Sequence, residues 1–317
     1  MKVSVIGLGH VGATIAFSLV IKGLVDELVL VNRNQSRARG EAADLQHAAA
    51  FSTRKVSIRA GLVSDTRHSD IVVLCISHKS EGTTASPPSR DELAKQNTQL
   101  FRQWVPELVH ASPYAIFVVV SNPVDVLSYV TWKSSQLPAS RVIGTGTLID
   151  SARYRSYLSE HLQIHPDDIR AYVLGEHGDT QFPALSVALT GGEKLDGSPD
   201  IEKFFQMTVS SGYEVYQTKG FTNYAIALST CMILDAIIHN SNRTLPVSTL
   251  SDGFCSVSDV YLSIPCVVGR EGIVRQLRPP MNMNEVLNFQ KSANKIKGLL
   301  ADLPALDTTP PFPPELR

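Results

Sequence analysis

Lys2-Val3-Ser4-Val5-Ile6-Gly7-Leu8-Gly9-His10-Val11-Gly12 runs from an apolar strand pattern into a glycine-rich turn, and residues 11–22 continue it with helical spacing. A strand that enters a helix through Gly-x-Gly-x-x-Gly is the pattern of a dinucleotide pyrophosphate site. The first glycine makes the tight turn, the second lets the pyrophosphate approach the backbone, and the third lets helix and strand pack closely. Gly7, Gly9 and Gly12 are therefore candidate cofactor-binding residues, and the flanking strand and helix are the context that an accidental glycine-rich turn lacks.

Outward from the turn, short Val- and Ile-rich runs at 27–31, 55–60, 71–76 and 115–120 read as strands buried on both faces, separated by helical patterns at 35–50 and 90–110. That alternation predicts an α/β fold, a Rossmann-type doubly wound parallel sheet, over residues 1–144. Farther on, helical patterns at 148–161, 201–218, 222–240 and 284–301 frame shorter strand candidates near 171–174, 245–250 and 265–268, so 145–302 is expected to form an α+β substrate domain. Residues 303–317 hold five prolines and few large apolar side chains and are expected to be a disordered tail.

The 317 residues are 43% hydrophobic and 19% charged, the balance of a globular protein of about two domains. A net charge of -1 offers no global attraction to nucleic acid or to an anionic membrane, so the expected partner is a small molecule. The four cysteines are widely spaced, form no Cys-x-x-Cys pair and sit among apolar neighbours, which predicts reduced core thiols and no metal site. Gly7, Gly9, His10, Gly12, Thr14 and Ser18 interrupt the apolar run at 3–21, so it is not expected to be a signal or a membrane span, and the cytoplasm is the expected compartment.

In an NAD site an acidic residue at the end of the second strand accepts hydrogen bonds from the adenosine ribose. Here Asn32 and then Arg33 stand there. An uncharged amide does not repel a 2'-phosphate and a guanidinium can pair with it, so the substitution points toward NADP, with a ribose contact from Asn32 and a solvated Arg33 as the alternative. A second signal, Gly175-Glu176-His177-Gly178-Asp179, follows the apolar run 171–174. A histidine titrating near neutrality is suited to general acid/base work, and the flanking glycines would let a substrate approach it.

With these segments in place, the chain resembles the L-lactate/malate dehydrogenase family, through GLGHVG at 7–12, SNPVD at 121–125, GTGTLIDSAR at 144–153 and GEHGD at 175–179, in order and spread from the first strand to about residue 300. Within the family the SNPVDV and GTGTL wording is nearest to the L-2-hydroxyisocaproate dehydrogenase branch. The resemblance implies a nicotinamide cofactor, NAD or NADP, and hydride exchange with C2 of a 2-oxo/2-hydroxy acid. It makes His177 the proton donor or acceptor at the C2 oxygen, Asp150 the carboxylate that orients it, and Arg153 the partner of the substrate carboxylate. Arg90, opening RDELAKQN, matches the mobile arginine that polarises the reacting carbonyl. Asn122 matches a residue near nicotinamide and substrate oxygen, and Thr222 one that lines the substrate pocket.

The segment between Cys75 and Arg90 is about four residues longer than the corresponding lactate dehydrogenase loop, and counting back from Arg90 puts Thr84 at the position that separates lactate from malate enzymes. No arginine there leaves a second substrate carboxylate unmatched, although His78 or Lys79 could still reach in. Ser211 and Gly212 match a small pair facing the substrate side chain, and glycine leaves room. Together these favour an L-2-hydroxy/2-oxo monocarboxylic acid with a side chain larger than methyl, with L-lactate dehydrogenase, or less so malate dehydrogenase, as the alternative. The resemblance further implies a homo-dimer or homo-tetramer. Arg155 and Arg170 match the pair that binds fructose bisphosphate in activated bacterial lactate dehydrogenases; ordinary surface charges are the other possibility.

Overall fold

Short runs of mostly apolar residues, among them the wholly apolar and buried 71–74 and 116–119, form the parallel strands of one large sheet. The structure is a computed structural model and describes residues 1–78, 90–195 and 199–304, with the side chains of Arg90, Asp91, Leu93 and Pro199 outside the description. In chain order the first half holds β1 (Lys2–Ile6), α1 (His10–Lys22), β2 (Glu27–Val31), α2 (Gln35–Ala49), β3 (Ser57–Gly61), β4 (Ile71–Leu74), α3 (Arg90–Ala111), β5 (Ile116–Val119), α4 (Val124–Ser135) and β6 (Val142–Gly144). The second half holds α5 (Leu148–Leu162), β7 (Ile169–Arg170), β8 (Val173–Leu174), β9 (Phe182–Pro183), β10 (Leu189–Thr190), β11 (Glu193–Lys194), α6 (Pro199–Lys219), α7 (Tyr224–Ile238), β12 (Arg243–Asp252), β13 (Ser258–Gly269), β14 (Gly272–Gln276) and α8 (Met283–Ala301).

Strands β3-β2-β1-β4-β5-β6 run parallel in that spatial order, the doubly wound arrangement expected from the alternating pattern. The strand order reverses between β1 and β4, and ligands of such sheets bind beyond the carboxyl ends of the strands at that switch. Gly7 leaves β1 there, against Cys75 at the end of β4.

The sheet continues where the sequence pattern suggested separate short strands. Antiparallel β12, β13 and β14 extend it to nine strands, β12 joining β6 through the pair Ser248 and Gly144. Pro246 and Pro265 face each other inside the β12–β13 ladder, and a proline breaks the strand signal because it cannot donate to a ladder. Helix α4 and strand β6 were not anticipated either. Residues 124–131 are all buried, so this helix lacks the polar face that makes a helical period visible.

A second, smaller core packs α5 and α6 around the short strands, with Tyr154, Leu158, Ile169, Val173 and Phe205 at its centre. Of the expected tail at 303–317, Leu303 is instead buried in the core, and residues 305–317 lie outside the described residues, as does the segment 79–89. Among the described residues no helix is long and apolar enough to cross a membrane, no cluster of three or more His, Cys, Asp and Glu side chains could hold a metal, and the four cysteines are free thiols.

Candidate active site

The turn after β1 is built for an anion. Gly7 has a φ of 94°, and a Cβ on it would lie 2.6 Å from the Cys75 carbonyl oxygen. A Cβ on Gly12 would overlap the Gly7 carbonyl, so α1 rests directly on the turn. At Gly9 the Cβ position is open, with no atom within 4 Å, and no side chain caps α1. An uncapped helix N-terminus facing an open glycine attracts negative charge, and these residues fit a dinucleotide pyrophosphate. Asn32 is half-buried beside it: its Oδ1 accepts the Leu8 N–H at 3.3 Å and its Nδ2 donates to the Asn34 carbonyl at 3.3 Å, while Arg33 is exposed. The amide therefore braces the turn.

Across the cleft, the GTGTLIDSAR segment folds as it does because its glycines are crowded. Gly144, at the end of β6, leaves no space for a Cβ against Ser128 and Ser248, and Gly146, with φ of 52°, packs on Ser263 and the backbone of β12. The Thr147 N–H donates to Ser263 Oγ at 2.9 Å, and helix α5 starts at the next residue. Its first turn carries Asp150, where the helix dipole favours a carboxylate.

Asp150 joins the two other candidate side chains. Its Oδ2 lies 2.6 Å from His177 Nδ1, and its Oδ1 accepts from the Arg153 guanidinium at 3.2 Å, one turn along the same helix. The carboxylate is 2% exposed, the imidazole 24% and the guanidinium 20%, so the carboxylate is sealed while both partners stay partly open to solvent. Burial opposes charge on both members of the His177–Asp150 pair. Their mutual attraction and hydrogen bond, joined by Arg153 on the Asp150 side, outweigh it: the Asp150 carboxyl is held below its ordinary value and the His177 imidazole above it.

A second buried carboxylate holds the His177 backbone. Asp125, 1% exposed, accepts the His177 backbone N–H at 2.8 Å on Oδ2 and the Ser248 hydroxyl at 2.6 Å on Oδ1. Burial pushes its carboxyl up to about 7, against the lowering from Ser248 and His177. Asp125 closes the SNPVD segment, but sequence reasoning gave it no role; a lone acid in the mostly apolar run 124–130 was the available signal. The neighbouring Glu176 is anchored by Lys295 of α8 at 2.8 Å, and the same amine reaches Asp179 at 3.2 Å.

One expectation is corrected. Gly175 does not open space for substrate: its φ is 88°, a Cβ on it would strike Ser292 of α8 at 2.5 Å, and its backbone pairs with Ser263 of β13. Packing and backbone conformation require glycine there. Gly212 opens onto the Arg153 guanidinium, whose nearest nitrogen would lie 3.4 Å from a Cβ. Ser211 turns the other way, its hydroxyl 2.8 Å from Tyr157 Oη and donating to the Met207 carbonyl.

Thr222 is half-buried in the turn between α6 and α7. Asn122 has an exposed side chain, and its carbonyl accepts from Asn97 Nδ2 at 2.7 Å; Asn97 Oδ1 in turn accepts the His78 N–H at 2.7 Å. Thr84 and Lys79 lie outside the described residues; Arg90 is the first residue of α3, and its side chain is likewise outside the description. Arg155 is half-buried on α5, with Nε donating to the Ser151 carbonyl at 3.3 Å, and Arg170 is exposed on β7. Burial, and less strongly the like charges of Arg170 and Arg243, hold the Arg155 guanidinium below its ordinary value against the pull of Asp167.

Comparison with known proteins adds the following. Residues 1–144 match the family model of the lactate/malate dehydrogenase NAD-binding domain, and residues 147–304 that of the lactate/malate dehydrogenase alpha/beta C-terminal domain. An L-lactate dehydrogenase 1 of Staphylococcus aureus is 39% identical over 310 residues, 95% of this chain and 96% of that protein. Among solved structures, a ligand-bound minor L-lactate dehydrogenase of Enterococcus mundtii superposes with a TM-score of 0.91 at 33% identity, over 96% of this chain and 98% of that one. MGS-M5, a lactate dehydrogenase from a deep-sea metagenome library of the Medee basin, superposes with a TM-score of 0.90 at 35% identity, over 95% and 98%.

Proposed function

The chain belongs to the lactate/malate dehydrogenase family and is an oxidoreductase of the lactate dehydrogenase type, and from that premise we propose that it interconverts 2-oxo and L-2-hydroxy monocarboxylic acids with His177 as the proton donor and acceptor. The observation that carries this reading is that one buried carboxylate, that of Asp150, meets the His177 ring on one oxygen and the Arg153 guanidinium on the other. When bound, the reduced nicotinamide supplies a hydride equivalent to C2 of the oxo acid. His177 provides the matching proton: with Nδ1 committed to Asp150, Nε2 is the nitrogen left to serve the C2 oxygen. In the reverse direction neutral Nε2 accepts the hydroxyl proton. Arg153 presents two parallel donors to the substrate carboxylate. Arg90 polarises the carbonyl, Asn122 lies beside nicotinamide and oxygen, and Thr222 lines the pocket; these three roles rest on the family match. Absorbance at the reduced-nicotinamide band with a panel of 2-oxo acids tests the reading, and an enzyme that consumes none of them would overturn it.

For the substrate, Thr84 at the position that separates lactate from malate enzymes, and the lack of a side chain at Gly212 beside the Arg153 guanidinium, support a side chain larger than methyl, in line with the wording shared with hydroxyisocaproate enzymes. The second reading, L-lactate dehydrogenase, is favoured by the names of the relatives above. Comparing kcat/KM for pyruvate, 4-methyl-2-oxopentanoate and oxaloacetate separates them: the branched acid leads on the first reading and pyruvate on the second. If oxaloacetate leads, both fail and Lys79 becomes the candidate partner for the second carboxylate.

For the cofactor, the uncharged Asn32 beside exposed Arg33 supports NADP over NAD. A homo-oligomer is supported by an apolar face along the adjacent helices α1 and α7, where Phe17, Ile21, Tyr224 and Leu228 are 45%, 59%, 68% and 51% exposed. Four free thiols suit a reducing compartment such as the cytoplasm. Arg155 and Arg170 are the candidate site for an effector anion.

A further inference from the structure

The turn that carries Thr222 is fastened to the glycine-rich turn by a closed circuit of side-chain contacts. His10, directly after Gly9, stacks its imidazole on the Phe221 ring, with centroids 3.7 Å apart and planes 4° from parallel. Thr14, one turn along α1, donates its hydroxyl to the His10 carbonyl at 2.6 Å and accepts from Asn223 Nδ2 at 2.9 Å. Asn223 Oδ1 accepts from Lys219 Nζ at 2.6 Å, and the same ammonium lies 4.9 Å from the Phe221 ring centroid and 3.7 Å from that of Tyr224.

Local requirements do not explain this arrangement. Asn223 is the residue preceding α7, where an asparagine side chain ordinarily accepts a backbone N–H of its own helix. Here it makes no such cap and crosses to α1 instead, 9% exposed. His10 is an exposed residue at the start of a helix, a position with no need of an aromatic partner. Thr222 lies between the two anchored residues, Phe221 and Asn223, so its backbone is held from both sides by α1.

We infer that His10 and Phe221 form a clasp that positions the substrate-pocket turn 220–223 on the dinucleotide-binding turn, so that the oxo-acid site is completed by contact with the cofactor side of the cleft. The inference rests on the proposed dehydrogenase activity for its kinetic arm only. A stacked aromatic pair contributes a modest amount beyond its buried area, so releasing it loosens the turn without unfolding the protein.

The test compares His10→Ala, Phe221→Leu, the double variant and His10→Phe in the full-length protein. Three measurements are made: KM and kcat for the preferred 2-oxo acid, the Kd of NADH or NADPH by fluorescence titration, and the rate of tryptic cleavage after Lys219, which reports local opening of this turn. His10→Ala and Phe221→Leu are expected to raise KM about 2- to 10-fold with kcat nearly unchanged, and to speed cleavage at Lys219. The double variant should be no worse than the poorer single one, because the two rings make one interaction. His10→Phe keeps a planar ring and should restore both KM and protease resistance. Unchanged KM in His10→Ala, a loss confined to cofactor affinity, or a His10→Phe variant as impaired as His10→Ala would each overturn the clasp. Should the wild-type protein reduce no 2-oxo acid, the dehydrogenase reading fails, and the cleavage rates still decide whether the stack holds the turn.

Discussion

His177 and Asp150 are 2.6 Å apart, Nδ1 to Oδ2, and the carboxylate that receives the imidazole is almost sealed from solvent while the ring is not. Charge on the ring is thus sustained from the buried side and spent on the open one. Replacing His177 by Asn, or Asp150 by Asn, should lower turnover by about 10²-fold or more while cofactor affinity stays nearly intact, since each change removes proton transfer and neither touches the glycine-rich turn. Asp150→Asn carries a further signature in residual activity. The carboxylate holds the His177 pKa up against burial, so without it the ring loses its proton at lower pH. Reduction of the oxo acid needs the imidazolium and declines as pH rises through that pKa, so the declining limb should move to lower pH. A pH profile of kcat/KM decides: a limb that stays in place would mean that Asp150 does not control the ring.

Arg153 offers a planar fork of donors, and Arg153→Lys replaces it with a point charge that also loses the guanidinium contact to Asp150. KM for the oxo acid should rise at least about tenfold, with a smaller fall in kcat. Equal KM in the two enzymes would remove Arg153 from the carboxylate site.

Asp125 gives a prediction about stability. Its folded-state carboxyl is raised to about 7 from an ordinary value near 4, so between those values the native state holds a proton that the unfolded chain has released. Stability from this group is therefore present below about pH 4 and is lost as pH rises through about 7. Asn cannot ionise, although it offers the His177 N–H and the Ser248 hydroxyl only one acceptor oxygen between them. The difference in Tm between Asp125→Asn and wild type should thus move in favour of the variant by several degrees from pH 4 to pH 8. A difference that does not vary with pH would show that folding does not raise the Asp125 pKa.

Much of this was legible before the structure because it was local. Gly7, Gly9 and Gly12 declare their turn through steric demands within a few residues, and β4 and β5 announce a sheet covered on both faces by being apolar throughout. What stayed hidden depends on distant partners. Helix α4 is buried all round, so its sequence shows no contrast between faces. The β12–β13 ladder contains facing prolines, and the reason for Gly175 is a serine on the last helix. Asp125 was visible as a residue but not as a partner of His177, because the bond joins a helix start to a loop 52 positions away. His10 and Phe221 are farther apart still, and neither belongs to a pattern with a chemical signature.

Asn32 tests the cofactor reading. Asn32→Asp puts a negative charge at the ribose end of the site, repelling a 2'-phosphate and restoring an acceptor for ribose hydroxyls, while a carboxylate oxygen can still accept the Leu8 N–H. The ratio of kcat/KM for NADH over NADPH should rise about tenfold or more. A wild-type enzyme that already strongly prefers NADH would refute the premise that Asn32 and Arg33 select the phosphate.

Arg155 and Arg170 raise the question of an anionic effector. Each lies close enough to affect the other electrostatically, Arg243 adds a third positive charge, and Asp167 is the main opposing one. Arg170 also borders a cavity of about 620 Å³ together with Asp168 and Glu193. Those two carboxylates disfavour a polyanion inside the cavity, so an anion site on these arginines would need a second copy of the chain to bring its own. Like charges meeting across such an interface repel until an anion neutralises them, which links anion binding to association. Fructose bisphosphate or high sulfate should then lower the apparent KM or tighten the oligomer, and Arg170→Gln should abolish that response while leaving the chemistry at His177 unaltered. The measurement belongs at low ionic strength, because salt at about 0.1 M screens exposed charges beyond roughly 10 Å. Activity and sedimentation that ignore millimolar anion under those conditions would leave both arginines as ordinary surface charges.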